Sequence, residues 1–141
     1  MIAPAEPTTS TRIRTLGAAM VVTLLGQLLL GMANWLTVPD SGSGWKTAAP
    51  MGLLVAHITL GVALLVLAIW IAVAAFRGND RNWLTASAVG ILGILLASGA
   101  GTAFMSQTSN DGASYFMSIG TALALAAYAL GLYRLPVTQT T

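Results

Sequence analysis

His57 is the only histidine in this chain of 141 residues, and it falls inside a long apolar run, Met51 to Phe76. An imidazole in such a setting can coordinate a metal, relay a proton or hydrogen-bond a neighbouring helix. A relay needs further ionisable groups, and no Asp, Glu, Lys or Arg lies inside any of the apolar runs of this chain. Coordination needs a second ligand, and methionine sulfur is an accepted partner of imidazole at a haem iron. Met117, near the start of another apolar run, has the right chemistry. Gly61 and Gly120 each follow at about one helical turn and would leave room for a flat macrocycle. On these residues His57 and Met117 are the candidate axial ligands of one b-type haem, with Gly61 and Gly120 beside it. Gln27 and Asn34, on one helical stripe with Thr23 and Gly31, are candidates to line the same pocket. The plainer reading has the imidazole and both amides bonding across helices, with methionine as an adaptable core filler.

The elements that must position these residues follow from composition. Hydrophobic residues make up 56% of the chain and charged residues 7%, against about 25% charged in an ordinary soluble domain. So short a chain has too much surface to leave so few charges for water, unless its solvent is lipid. The apolar runs predict helices at about 15–36, 51–76, 83–105 and 113–133, each near the roughly 20 residues that cross a bilayer. The expected fold class is all-α: an integral-membrane antiparallel four-helix bundle occupying residues 12–134. Polar tails at 1–11 and 135–141 flank it, the first expected to be disordered. The run after Arg12 and Arg14 is too long for the apolar core of a cleaved signal peptide. Val38 to Pro50 reads as a loop bracketed by the interfacial aromatics Trp35 and Trp45.

Arg12, Arg14, Arg77, Arg81 and Arg134 fall on one side of this scheme and Lys46 on the other. The positive-inside rule then places both termini in the cytoplasm, and the composition suits a bacterial plasma membrane. With the helices so directed, His57 lies about 9 Å and Met117 about 6 Å below the outer ends of their runs. Asn34, Thr102 and Met105 fall near that face too, whereas the inner half reads as apolar apart from Tyr128 and Trp70. A route for ions must be polar throughout, so this one-sided layer argues against a channel or pump and for a pocket open outward. On the third helix Gly93, Ala97 and Gly101 form a ribbon of small residues that lets another helix approach closely.

Other chemistries are excluded. The chain has no cysteine, hence no disulfide, thiolate zinc site, iron–sulfur cluster or covalently attached haem. A net charge of +2 without a basic run offers nothing to nucleic acid. Serine, aspartate and histidine are too scattered for a hydrolase triad, and Asp40 and Asp111 read as turn residues.

The run Gln27-Leu28-Leu29-Leu30-Gly31, then Pro50 and Val55-Ala56-His57, resembles one four-helix half of haem A synthase over residues 27–76. The resemblance implies a b-type haem held by a histidine near the outer end of the second helix. In that family the histidine pairs with another on the fourth helix. Here the fourth helix opens Tyr115-Phe116-Met117-Ser118, without one. The outer loop also lacks the family's cysteine pair, and the chain has half the family's length, so the synthase activity itself is not implied. The chain also resembles small four-helix membrane proteins of actinobacterial type. Three readings stay open. One is a small b-type cytochrome for electron transfer or sensing. Another is a cofactor-free accessory subunit of a larger membrane complex or homodimer. The third is a lipid- or quinone-binding protein.

Overall fold

The computed structural model describes residues 9–37, 51–106 and 111–134, and within these the side chains of Thr9, Ser10, Trp35, Thr37, Met51, Met105, Ser106 and Asp111 are outside the description. The expected loop at 38–50 with Trp45 and Lys46, the remaining turn and the outer parts of both tails lie outside the described residues. The fold is all-α, with helices α1 (Thr9–Thr37), α2 (Met51–Arg77), α3 (Arg81–Ser106) and α4 (Asp111–Tyr133). Each contains a segment long and apolar enough to cross a membrane, with mean hydropathy from 1.6 to 2.7. The protein is therefore a multi-pass helical membrane protein by length and composition.

The first helix starts upstream of the expected boundary near residue 15 and takes in residues 9–11 of the expected tail. The reason is Ile13, which is buried and in helical phase with the buried Met20 and Leu24. A core contact at that position carries the helix outward past both arginines.

Helix α1 packs on α2 and α4, and α3 packs on α2 and α4, so the four helices form a square. The contacts also fix direction. Near the start of α3, the Trp83 ring lies against Gly17 near the start of α1 and against Gly131 near the end of α4. Near the start of α2, His57 lies against Gly31 near the end of α1. The bundle is thus antiparallel, and Arg12, Arg14, Arg77, Arg81 and Arg134 gather at one end. This is called the arginine end below, and the opposite end the far end.

Lipid tails are as apolar as leucine, so burial alone does not hold such helices together; close packing and hydrogen bonds do. The tightest approach is between α3 and α4. A Cβ on Gly93 would sit 2.6 Å from the Gly120 carbonyl oxygen, and one on Gly120 would sit 2.5 Å from that of Gly93. The two backbones are in direct contact, as the ribbon of small residues on α3 predicts. Toward the far end the same helices part into a shallow apolar groove of about 370 Å³, lined by Leu96, Ala100, Ala103, Gly112, Ala113 and Phe116.

A tight turn joins α2 to α3. The Asp80 N–H donates to the Ala75 carbonyl at 2.9 Å and the Asn79 N–H to that of Phe76 at 3.1 Å. This is the Schellman pattern, and its left-handed residue is Asn79, at φ 52°. The Asp80 carboxylate then accepts from the Trp83 N–H at 3.1 Å and caps α3.

Candidate functional site

Of the far-end polar residues, Gln27, Asn34 and His57 come together between α1 and α2. The Gln27 side-chain amide donates to the His57 backbone carbonyl at 3.0 Å. The same nitrogen lies 3.3 Å from His57 Nε2. An amide nitrogen can only donate, so the ring nitrogen must accept, and the imidazole is neutral with its proton on Nδ1. Turning the amide over would set its oxygen against the His57 carbonyl, so the orientation is determined. Two helical turns further along α1, Asn34 donates to the Leu53 carbonyl at 3.3 Å and to the Leu30 carbonyl of its own helix at 3.1 Å. Two amides of α1 thus reach two carbonyls one turn apart on α2.

The glycines around this pair have a definite job. A Cβ on Gly61 would lie 3.3 Å from Gln27 Nε2. In an α-helix the residue four positions on covers the carbonyl, and the bare Gly61 leaves the His57 carbonyl open to the amide. A Cβ on Gly31 would lie 3.3 Å from His57 Cε1, so Gly31 seats the imidazole. His57 Nδ1 and Gln27 Oε1 are buried and have no hydrogen-bond partner among the described residues.

Met117 lies elsewhere. Its sulfur faces Gly101 of α3, where a Cβ would be 3.4 Å away. His57 is therefore seated on α1 and Met117 on α3, at opposite interfaces of the square. The room expected beside Gly120 holds the α3 backbone, and the room beside Gly61 holds Gln27. A haem with His57 and Met117 as axial ligands does not fit this arrangement. The ring Nε2 receives an amide, the ring Nδ1 is enclosed, and neither glycine faces space for a macrocycle. Among the described residues no group of three or more His, Cys, Asp or Glu side chains is placed to hold a bare metal ion.

Three threonine hydroxyls of the bundle bond back to their own helices. Thr23 bonds the Ala19 carbonyl at 2.7 Å, Thr102 that of Gly99 at 2.7 Å, and Thr121 that of Met117 at 2.9 Å. Hydroxyls bonded back to their own helix have spent their one donor on it. Met20, one turn before Thr23 on α1, is fully buried in the core with Leu24 and Leu64. Trp70 points outward, 67% exposed, as a lipid-facing residue would.

The sequence reading missed a second polar cluster near the arginine end. Trp83, Ser87 and Tyr128 are all completely buried. A Cβ on Gly17 or on Gly90 would run into the rings of Trp83 and Tyr128 respectively, so each glycine is a seat for an aromatic side chain. The signal available was the i, i+4 spacing of Trp83 and Ser87, which puts an indole and a hydroxyl on one face of α3.

Comparison with protein-family models, with curated proteins and with solved structures finds no match. The class that fold and site define is a four-helix, multi-pass membrane protein whose far-end polar residues knit α1 to α2.

Proposed function

We propose that the chain acts as a cofactor-free structural subunit in a bacterial plasma membrane, with both termini cytoplasmic, and assembles with another membrane protein. The observation that carries this reading is the engagement of His57. The residue best suited to ligate a metal spends its Nε2 and its carbonyl on Gln27. Self-bonded hydroxyls and the apolar middle of the bundle support the same reading, since they leave no continuous polar path for an ion. The gathering of arginines at one end supports the orientation.

The test is an absorption spectrum of detergent-purified protein made with ample haem, oxidised and then reduced with dithionite, alongside native mass spectrometry of the gently solubilised complex. A spectrum free of a Soret band together with a co-purifying membrane protein is the expected result. A Soret band with sharp reduced bands that vanish in His57→Ala would overturn it in favour of the b-type cytochrome. A lone monomer without either would remove the subunit role.

A further inference from the structure

Five arginines gather at one end of the bundle, and their only use so far has been to orient the chain. All five are exposed. Among the described residues the one carboxylate at that end is Asp80. Packed helix axes stand about 8–10 Å apart, so these charges crowd into the cross-section of one small bundle. Their depth is equally specific. Arg77 is the last residue of the apolar span Gly52–Arg77, and Arg81 is the first of Arg81–Phe104. Each stands where the hydrocarbon ends and lipid phosphates begin.

Arg77 and Arg81 are also held in a fixed relation. The turn between them is closed by the bonds of Asn79 and Asp80 back to α2 and by the Asp80 cap on α3. Four residues of extended chain would reach about 14 Å, and the folded turn keeps the two closer than that. Asp80 does not neutralise them. It is half-buried, and its carboxylate is directed to the Trp83 N–H at the positive end of α3. Neither arginine forms an ion pair among the described residues. A backbone already set in this turn gives up no further freedom when an anion binds.

The face of α2 next to the turn suits the rest of a lipid. Trp70, Val73 and Phe76 are exposed and apolar, and helical phase puts them on one side of α2 with Arg77. Trp70 lies about 10 Å along the helix from Arg77. An acyl chain whose phosphate rests at Arg77 would run along Val73 to the Trp70 indole. Guanidinium groups match phosphate through paired N–H donors. A zwitterionic headgroup already carries its own cation, whereas an anionic one leaves its charge for the protein to meet. Basic residues just outside membrane helices select the anionic class for this reason.

We infer that the α2–α3 turn is a binding site for an anionic phospholipid, with the phosphate between Arg77 and Arg81 and an acyl chain on the Trp70–Val73 face of α2. Such a site is independent of any protein partner.

The experiment reconstitutes the full chain in phosphatidylcholine vesicles. A fixed fraction of the lipid carries brominated acyl chains, either as phosphatidylglycerol or as phosphatidylcholine. Bromine quenches tryptophan on contact, and the Trp70 share is the difference between wild type and Trp70→Phe. Brominated phosphatidylglycerol is expected to compete for the site about fivefold better than brominated phosphatidylcholine, the preference that one basic residue gives an anionic lipid. The preference should fall as salt is raised. It should be lost in the double variant Arg77→Gln, Arg81→Gln, and largely kept in Arg77→Lys, Arg81→Lys, which retains the charge. It should also be kept in Arg12→Gln, Arg14→Gln, which removes two arginines of α1. Equal quenching of Trp70 by the two lipids in the wild-type protein overturns the inference without any arginine variant. So does a preference that survives glutamine at residues 77 and 81, or one abolished only by glutamine at residues 12 and 14.

Discussion

The side-chain amide of Gln27 joins the backbone carbonyl of His57 at 3.0 Å, binding the far half of α1 to α2. Its second proton faces the ring of the same residue. One side chain therefore holds both the main chain and the imidazole of its neighbour, and this decides what His57 is free to do. A hydrogen bond between membrane helices contributes about 1 kcal/mol, and Gln27 makes two contacts of this kind. Gln27→Leu is expected to destabilise the bundle by about 1–2 kcal/mol. Unfolding in mixed detergent and SDS micelles measures it, and a loss no larger than that of a lipid-facing control such as Val66→Ala would refute the clamp.

The same bond sets the tautomer of His57. With Nε2 accepting, the proton sits on Nδ1, and 15N NMR of the labelled imidazole should show a protonated Nδ1 and an unprotonated Nε2. In Gln27→Leu the preference should relax toward a mixture. An Nε2–H form in the wild-type protein would mean that the amide is turned over or absent from the ring.

Much of this architecture is legible from residue types alone. Four apolar runs without an internal charge cannot be anything but buried or lipid-covered helices, and the arginines give them one common end. The ribbon Gly93-Ala97-Gly101 announces the close contact with α4, because its smallness has no use except to let something near. What the sequence does not carry is partner choice. His57 and Met117 match in depth, yet depth is a coordinate along the helix and says nothing of the rotation about it. Rotation turns His57 toward Gly31 and Met117 toward Gly101. Gly61 illustrates the same limit: a gap for a macrocycle and a gap for an amide leave identical marks in the sequence. Ser87 and Trp83 escape notice for another reason. Each is commonplace on the surface, and only complete burial makes an indole N–H or a hydroxyl demanding.

The α3–α4 crossing should be the least forgiving part of the molecule. At Gly93 and Gly120 an added Cβ meets backbone, which cannot rotate away as a side chain can. Gly120→Val is expected to separate the two helices and to cost at least about 3 kcal/mol, the upper range of overpacking. Gly99 and Gly26, where a Cβ would meet nothing within 4 Å, supply the contrast. Alanine at either should be neutral or stabilise by about 0.5–1 kcal/mol through lower chain entropy. Comparing folded yield and SDS resistance of the one valine and two alanine variants checks both halves of the claim. Equal behaviour at Gly120 and Gly99 would contradict the close crossing.

Asn79 makes a different kind of prediction, because its constraint is in the backbone and not in a contact. At φ 52° it occupies the left-handed region at the end of α2, where residues with a Cβ are strained and asparagine is among the better tolerated. Asn79→Gly should keep the turn and stabilise slightly or not at all, since relief of strain is offset by a more flexible unfolded chain. Asn79→Val places a branched side chain in the same conformation and should cost about 1–2 kcal/mol. The neighbouring Asp80→Ala removes the cap on the Trp83 N–H and should cost about 1 kcal/mol. The order of stability to expect in the same SDS titration is glycine at or above wild type, then alanine at residue 80, with valine at residue 79 at or below it. Valine matching glycine would mean that the turn does not hold its left-handed residue in the membrane-embedded protein.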